Sequence, residues 1–282
     1  MISLGFHCHR VDIVEEIIVG NGLKRGEFYN LPADDIPELR RLIEHHKLNW
    51  SIHTPLTRLD WYPQPPTWSF LCDVDADNRE RTMKMVNLTL DHAGEYGAEY
   101  IVVHFPTPSS DASGESDEKL ESIARRSCER LAELSYKRNI PIHIEGVGQS
   151  NLINADFLTS LLKEFSPLRY CFDTAHSNLT AIYNDYDLYN FQAELLPYLG
   201  SLHLWNTRGQ EDYLIYRHIP VHPSQNPDDG WVDITRMLQA VGSITNPVAA
   251  IFENVPFYPE GLGNYDYREG VKWVKELLGI SS

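Results

Sequence analysis

No Cys-x-x-Cys pair occurs among the four cysteines, Cys8, Cys72, Cys128 and Cys171, and a chain of 282 residues has no need of disulfide staples. Free thiols in a reducing compartment are therefore expected. No apolar run reaches the ~18 residues of a membrane span. The opening residues 1–7 carry no basic segment ahead of an apolar one, so no signal peptide is expected, and the expected location is cytoplasmic. Positive charge is scarce: 24 Lys and Arg stand against 40 Asp and Glu, a formal net charge of −16. That disfavours a nonspecific nucleic-acid surface, although a local basic patch can sit on an acidic protein. Repeats, linkers and low-complexity tracts are absent, and 42% hydrophobic with 23% charged residues is the composition of a folded globular chain.

What the sequence does contain is an alternation of short apolar runs and longer amphipathic ones. Candidate strands lie at 2–7, 25–30, 48–54, 98–105, 140–146, 168–174, 199–206 and 247–254. Several are β-branched and aromatic and are bounded by Gly, Pro or Asn. Helical spacing appears at 34–46 (Ile36, Leu39, Ile43), 78–96 (Met83, Val86, Leu90, with Gly97 as a C-cap) and 117–138 (Leu120, Ile123, Leu131, Leu134). It recurs at 155–165 and at 266–279 (Val271, Val274, Leu278). Eight strands, each followed by a helix or by room for one, predict a parallel sheet. Units of this length over 282 residues fit one closed (β/α)8 TIM barrel spanning 1–282 as a single domain. An open doubly wound sheet would want a Gly-rich phosphate turn after the first strand, and His7-Cys8-His9 stands there instead. Residues 55–75 form a long inserted loop rich in Pro and aromatics, including Trp61, Tyr62, Pro66, Trp68 and Phe70. Long loops of this kind are usually functional.

Seven of the eight candidate strands end in a residue that carries chemistry: His7, His53, His104, Glu145, Asp173, His203 and Glu253. In a barrel these positions converge on the C-terminal mouth, where such folds place their chemistry. A carboxylate closing an apolar run such as Ala249-Ala250-Ile251-Phe252-Glu253 is costly to bury without a partner. Carboxylates and imidazoles gathered within a few ångströms call for a cation. Mixed oxygen and nitrogen donors suit Zn²⁺ or Mn²⁺ better than Ca²⁺. His143, two residues before Glu145, faces the same side one layer deeper and reads as a core histidine. His176, on the turn after Asp173, can reach the mouth. His9, His45, His46, His92 and His222 read as surface or loop residues.

At these residues the chain resembles the xylose-isomerase-like TIM barrel superfamily, which includes endonuclease IV and many sugar isomerases and epimerases. The resemblance runs along the whole chain: Leu4-Gly5-Phe6-His7, Ser51-Ile52-His53-Thr54-Pro55, Val102-Val103-His104-Phe105-Pro106, Ile144-Glu145, Phe172-Asp173-Thr174-Ala175-His176, Leu202-His203-Leu204 and Phe252-Glu253-Asn254. It implies a metal on Glu145, Asp173, His203 and Glu253. His53 and His104 match ligands of a second zinc bridged by Glu145, and His176 and His218 match two of three ligands for a third. Tyr216 stands where the third of those ligands, an Asp, is expected. The loops after the first two strands, His9-Arg10-Val11-Asp12 and Asn30-Leu31-Pro32-Ala33-Asp34-Asp35, do not resemble the DNA-facing loops of endonuclease IV.

The resemblance and the acidic charge together favour a divalent-metal-dependent isomerase or epimerase acting on a small sugar-like hydroxy-carbonyl compound. Glu145 and Glu253 are the expected proton-transfer groups, and His7, Arg208, Trp61 and Trp68 the expected substrate contacts, with His176 and His218 as third-metal ligands or further contacts. The alternative is an endonuclease IV-like zinc phosphodiesterase acting on abasic-site DNA, which His53 and His104 favour. A catalytically inactive binding protein on the same barrel is a third reading, and the intact set of four ligands opposes it. One to three ions and a homo-oligomer are both compatible with the sequence.

Overall fold

Eight short strands, rich in Val, Ile, Leu and Phe, form β1 (Ile2–Cys8), β2 (Arg25–Phe28), β3 (Asn49–His53), β4 (Ile101–Phe105), β5 (Ile142–Gly146), β6 (Leu168–Asp173), β7 (Leu199–Leu204) and β8 (Val248–Phe252). They pair in parallel in sequence order, and β8 closes onto β1 to complete a barrel. The structure, a computed structural model, describes residues 2–63, 65, 67–106, 113–254 and 265–280. The architecture is the single-domain (β/α)8 TIM barrel that the alternating pattern predicts. All eight expected strands form, most of them a residue or two shorter at their ends than the apolar runs.

The helices are α1 (Ile36–His46), α2 (Ala76–Tyr96), α3 (Asp117–Arg138), α4 (Ala155–Glu164), α5 (Thr174–Asn184), α6 (Leu188–Leu195), α7 (Gln210–Tyr216), α8 (Ile234–Gly242) and α9 (Tyr267–Leu277). Side-chain oxygens at Asp75, Ser116, Asn154, Asp187, Asp233 and Asp266 accept from backbone N–H groups of the first turns of α2, α3, α4, α6, α8 and α9. Each satisfies a donor that the helix itself leaves unpaired. Gly97 ends α2 at φ 79°, as its expected C-cap role requires. The sequence reading did not name α5 to α8. Helix α5 starts directly at the end of β6 with no turn residues between, and its sequence, Thr-Ala-His-Ser-Asn-Leu-Thr-Ala-Ile-Tyr-Asn, is poor in strong helix formers. His176, expected on a turn, is therefore in the first turn of a helix.

The strand period of two divides the core into two layers. Residues such as Phe6, Phe28, Ile52, Val103, Ile144, Phe172, Leu202 and Phe252 pack outward against Val86, Leu90, Leu131, Leu158, Met237 and Val274 of the helices. Each such side chain fully buried is worth about 1.5–3 kcal/mol, so this shell supplies most of the apolar stabilisation. The alternate residues form a much smaller apolar cluster inside the barrel, of Tyr100, Val102, Cys171, Ala249 and Ile251. The rest of the barrel interior is polar, with Glu27, Ser51, His53, Glu145, Asp173, Ser201 and His203 all buried. No described helix is long and apolar enough to cross a membrane.

Segment 55–75 contains no regular element among its described residues and is held as a wall. Leu59 and Tyr62 pack on Met85 of α2. The Tyr62 hydroxyl donates to the Trp68 carbonyl at 2.6 Å, and Ser127 of α3 donates to the Leu71 carbonyl at 2.5 Å. Gln64 and Pro66 lie outside the described residues.

Candidate metal centre

Parallel pairing sets neighbouring strand ends level. His104 on β4 is the partner of Glu145 on β5, and Asp173 on β6 is the partner of His203 on β7. Glu253 follows β8 by one residue. The structure brings Glu145, Asp173, His203 and Glu253 together with one donor atom from each within 4.8 Å of the others. Nδ1 of His203 lies 3.0 Å from Glu253 Oε2, 3.3 Å from Glu145 Oε1 and 3.9 Å from Asp173 Oδ2. A second set shares Glu145: its Oε2 is 3.2 Å from His53 Nε2 and 3.4 Å from His104 Nε2, while the two Nε2 atoms are 3.2 Å apart. Glu145 thus points one oxygen into each set.

Asp173 is held most firmly. Its Oδ1 accepts from the backbone N–H groups of Ala175 and His176 at 3.0 and 2.6 Å, capping α5, and its Oδ2 accepts from the Trp205 indole at 2.6 Å. Even so, burial first, and then repulsion from Glu145 and Glu253, hold its carboxyl well above the usual carboxylate range. Burial also opposes charge on Glu145 and Glu253, but their histidine neighbours, His203 foremost, outweigh it and hold both well below that range. His203 itself is pushed well above its ordinary value, because Cys171 and the carboxylates of Glu145, Glu253 and Glu27 overcome its burial. Burial lowers His7 and His104 to about 4 and His176 to about 3.

Among the described residues, every ion pair that Glu27, Glu145, Asp173 and Glu253 make is to a histidine; no Lys or Arg reaches them. Within the cluster, the raised proton affinity of Asp173 and His203 offsets part of the crowded negative charge. A divalent cation would do the same work with the donors already converging, and carboxylate oxygens with imidazole nitrogens are the donor set for such an ion. Glu253 Oε2 and His7 Nε2 are buried without an aligned hydrogen bond, which fits groups built for a partner outside the protein. The residues present therefore fit a divalent metal.

Above the cluster opens a cavity of about 570 Å³, with His7, Tyr29, Trp68, His104, His176, Tyr213, His218 and Glu253 among the residues on its wall. His7 stacks on Tyr29 at 5.6 Å and meets His53 edge-on. His218 stacks on Trp205 at 4.2 Å and its Nδ1–H donates to the Glu253 carbonyl at 2.7 Å. The rings of His176 and His218 are 5.7 Å apart. Neither belongs to a set of three converging donors among the described residues. Both histidines stand on the cavity wall.

Two expected substrate contacts are placed elsewhere. Arg208 forms a bidentate pair with Asp212, at 2.7 and 2.9 Å, and its guanidinium lies over Trp231. Trp61 stands edge-on to Tyr62 with Lys84 over its ring. Neither is among the described residues that line the cavity. Conversely, His9, Tyr29 and Tyr213 line it and were not expected to. The buried Glu27 on β2 was also missed. A carboxylate in the middle of a strand-like run was the available signal, since such a group is costly to bury unpartnered.

The model of the xylose isomerase-like TIM barrel family matches residues 11–277 of this chain. No curated protein matches it in sequence. Among solved structures, a D-tagatose 3-epimerase-like protein superposes with a TM-score of 0.72 at 14% identity, covering 99% of this chain and 97% of its own. A 3-keto-D-glucoside 4-epimerase from E. coli gives 0.69 at 14% identity, covering 98% and 100%. A xylose isomerase-like TIM barrel protein from Mycobacterium smegmatis, in complex with magnesium, gives 0.57 at 14% identity, covering 96% and 87%. At these identities the likeness is one of fold.

Proposed function

Given that the chain belongs to the xylose isomerase-like TIM barrel family, we propose that it is a divalent-metal-dependent epimerase or isomerase of a small, uncharged keto sugar. One observation supports this reading: a carboxylate–histidine cluster that no Lys or Arg reaches among the described residues opens, through Glu253 and His104, onto a cavity whose other described lining is largely aromatic and neutral. No Lys or Arg is among the described residues that line the cavity, and the undescribed segments contain none. A phosphorylated or phosphodiester substrate calls for such cations. A sugar does not: its C–H faces pack on Trp68, Tyr29 and Tyr213, and its hydroxyls bond to His7, His176, Gln149 and Gln210, all on the cavity wall. Solved structures of the same fold include a D-tagatose 3-epimerase-like protein and a 3-keto-D-glucoside 4-epimerase, which supports this reading.

Glu145, Asp173, His203 and Glu253 would hold the metal. Bound there, a divalent ion supplies Lewis acidity toward a carbonyl and its neighbouring hydroxyl. Glu253, on the cavity wall, takes the proton from the carbon next to the carbonyl, and Glu145, on the far side of the cluster, serves as its acid–base counterpart. The resulting enediolate of the substrate is reprotonated with inverted configuration for an epimerase, or at the neighbouring carbon for an isomerase. His176 and His7, neutral through burial, offer hydrogen bonds to hydroxyls without adding charge.

The second reading, an endonuclease IV-like phosphodiesterase, is favoured by one observation: the His53, His104 and Glu145 donor set beside the first. The test separates the two. Protein purified without chelator is analysed for metal by elemental mass spectrometry, then incubated with neutral ketoses and 3-keto-glucosides in D₂O. Deuterium incorporation next to the carbonyl, abolished by EDTA and restored by Mn²⁺ or Zn²⁺, supports the proposal. No exchange, with two zinc ions per chain and cleavage of abasic-site DNA, replaces it with the second reading. A protein that binds no divalent metal at all overturns both.

A further inference from the structure

We infer that Glu27 is the positioning residue that makes His203 a ligand through Nδ1; the inference rests on the metal reading above. Strand β2 contributes nothing to either converging donor set, yet Glu27 on it is fully buried. It does not line the cavity, and it lies against His203. Its two oxygens have separate neighbours. Oε2 accepts from the Ser51 hydroxyl at 2.8 Å, and Oε1 lies 2.9 Å from His203 Nε2, within ion-pair range though not aligned as a hydrogen bond, with no other hydrogen-bond partner for either of these two atoms among the described residues. The opposite ring nitrogen, Nδ1, is the one aimed between Glu253 and Glu145.

A neutral imidazole carries one N–H, on either nitrogen, and a metal takes the bare one. Nothing in the His203 side chain itself chooses. An ionised carboxylate only accepts hydrogen bonds, so Glu27 keeps the N–H on Nε2 and leaves Nδ1 bare. It also fixes the plane of the ring and makes Nδ1 a stronger donor, as carboxylate partners of metal-bound histidines do. Ser51 holds the carboxylate in turn, so it can turn neither away from His203 nor into the cluster. Burying a charge here in place of a leucine, and supplying it with Ser51, is hard to explain by packing, because an apolar side chain would fill the same interior more cheaply.

The test compares the metal-depleted full-length chain with Glu27→Gln, Glu27→Asp and Ser51→Ala. Glutamine can turn its NH₂ toward Nε2, which moves the histidine proton to Nδ1, where it competes with the metal. Titration calorimetry with Mn²⁺ should show affinity lowered about 10- to 100-fold in Glu27→Gln, the range for loss of such a partner. The smaller losses are expected in Glu27→Asp and Ser51→Ala. With one equivalent of Co²⁺, the wild type should show a hyperfine-shifted, slowly exchanging N–H proton from a coordinated histidine. That signal should be lost or exchange rapidly in Glu27→Gln and return in Glu27→Asp, which a merely structural role would not produce. Mn²⁺ affinity within twofold of wild type in a folded Glu27→Gln, with the N–H signal unchanged, overturns the inference. Should Glu27→Gln fail to fold, the same two readouts on Ser51→Ala decide it. A wild type that binds neither ion is the distinct failure of the metal reading, and removes this inference with it.

Discussion

The two ends of the barrel interior bury ionisable groups in opposite ways. Near the N-terminal ends of the strands, the Arg25 guanidinium meets Glu99 at 2.5 Å and Ser3 at 3.2 Å. Close by, His143 stacks on Tyr100 at 4.1 Å and bonds Ser201 at 2.9 Å. The backbone makes room for both: a Cβ at Gly5 would lie 2.7 Å from Arg25 Cγ, and one at Gly200 would lie 2.6 Å from His143 Nε2. Charge at this end is matched by charge from the chain itself. At the C-terminal end, among the described residues, the ion-pair partners of four buried carboxylates are all histidines. The difference teaches that the lower end sets its buried guanidinium against a carboxylate of the chain, whereas the upper end gathers carboxylates and imidazoles that could hold a divalent cation.

That contrast breaks most sharply under charge removal. Glu253→Gln should lower metal affinity more than 100-fold and abolish turnover, yet leave the metal-free protein as stable or about 1 kcal/mol more stable, because one of several crowded buried carboxylates is gone. Glu99→Ala at the other end should do the reverse. It removes the carboxylate partner of the buried Arg25 and, because the Glu99 side chain is itself exposed, should cost only about 1 kcal/mol in urea unfolding, with metal affinity unchanged. Equal stability losses in the two variants would erase the distinction between the ends.

A smaller effect concerns acid. Burial lowers His143 to about 3, below the 6.5 of an unfolded chain. Its contribution to stability is therefore fully present above pH 6.5 and is lost as pH falls from there toward 3, since only the unfolded state takes up the proton in that window. In metal-depleted protein, His143→Gln should lose about 1–2 kcal/mol less than wild type between pH 7 and pH 5, measured by urea titration. An unchanged acid limb would mean that His143 is not held neutral by the lower barrel.

The smallest effects should appear on the wall of the upper cavity. Trp68→Ala should raise KM several-fold with kcat little altered, as expected for loss of a packing face made equally in ground and transition states. Trp61→Ala and Arg208→Ala should each change kcat/KM less than about threefold, because both side chains are engaged away from the cavity. A large loss on Arg208→Ala would mean that its pair with Asp212 opens for substrate.

How much of this was legible in advance follows from range. Strand period and helix capping are local covalent geometry, so the eight strands, the outer helices α1 to α4 and α9, and the row of strand-end residues could be read from residue spacing. Helix α5 escaped because its cap, Asp173, is also the last residue of β6, so no turn separates strand from helix. Trp61 and Trp68 are indistinguishable by composition. Their different fates depend on the Tyr62 hydroxyl, which ties down the Trp68 carbonyl, and on Lys84 across the Trp61 ring. Arg208 had a readable competitor in Asp212, four residues on, at the spacing where helix-surface charges meet.

By itself the sequence determined the barrel, the mouth on which its chemistry-bearing residues gather, and the demand those carboxylates make for a cation, because each follows from periodicity and from the cost of burying charge. Only the tertiary structure decided which histidine nitrogen faces which carboxylate, which aromatics wall the cavity, and that Glu27 stands behind His203. Those contacts join residues from different strands and loops, at distances of a few ångströms that no one-dimensional spacing encodes; the closed register of the barrel and the packing of each side chain set them together.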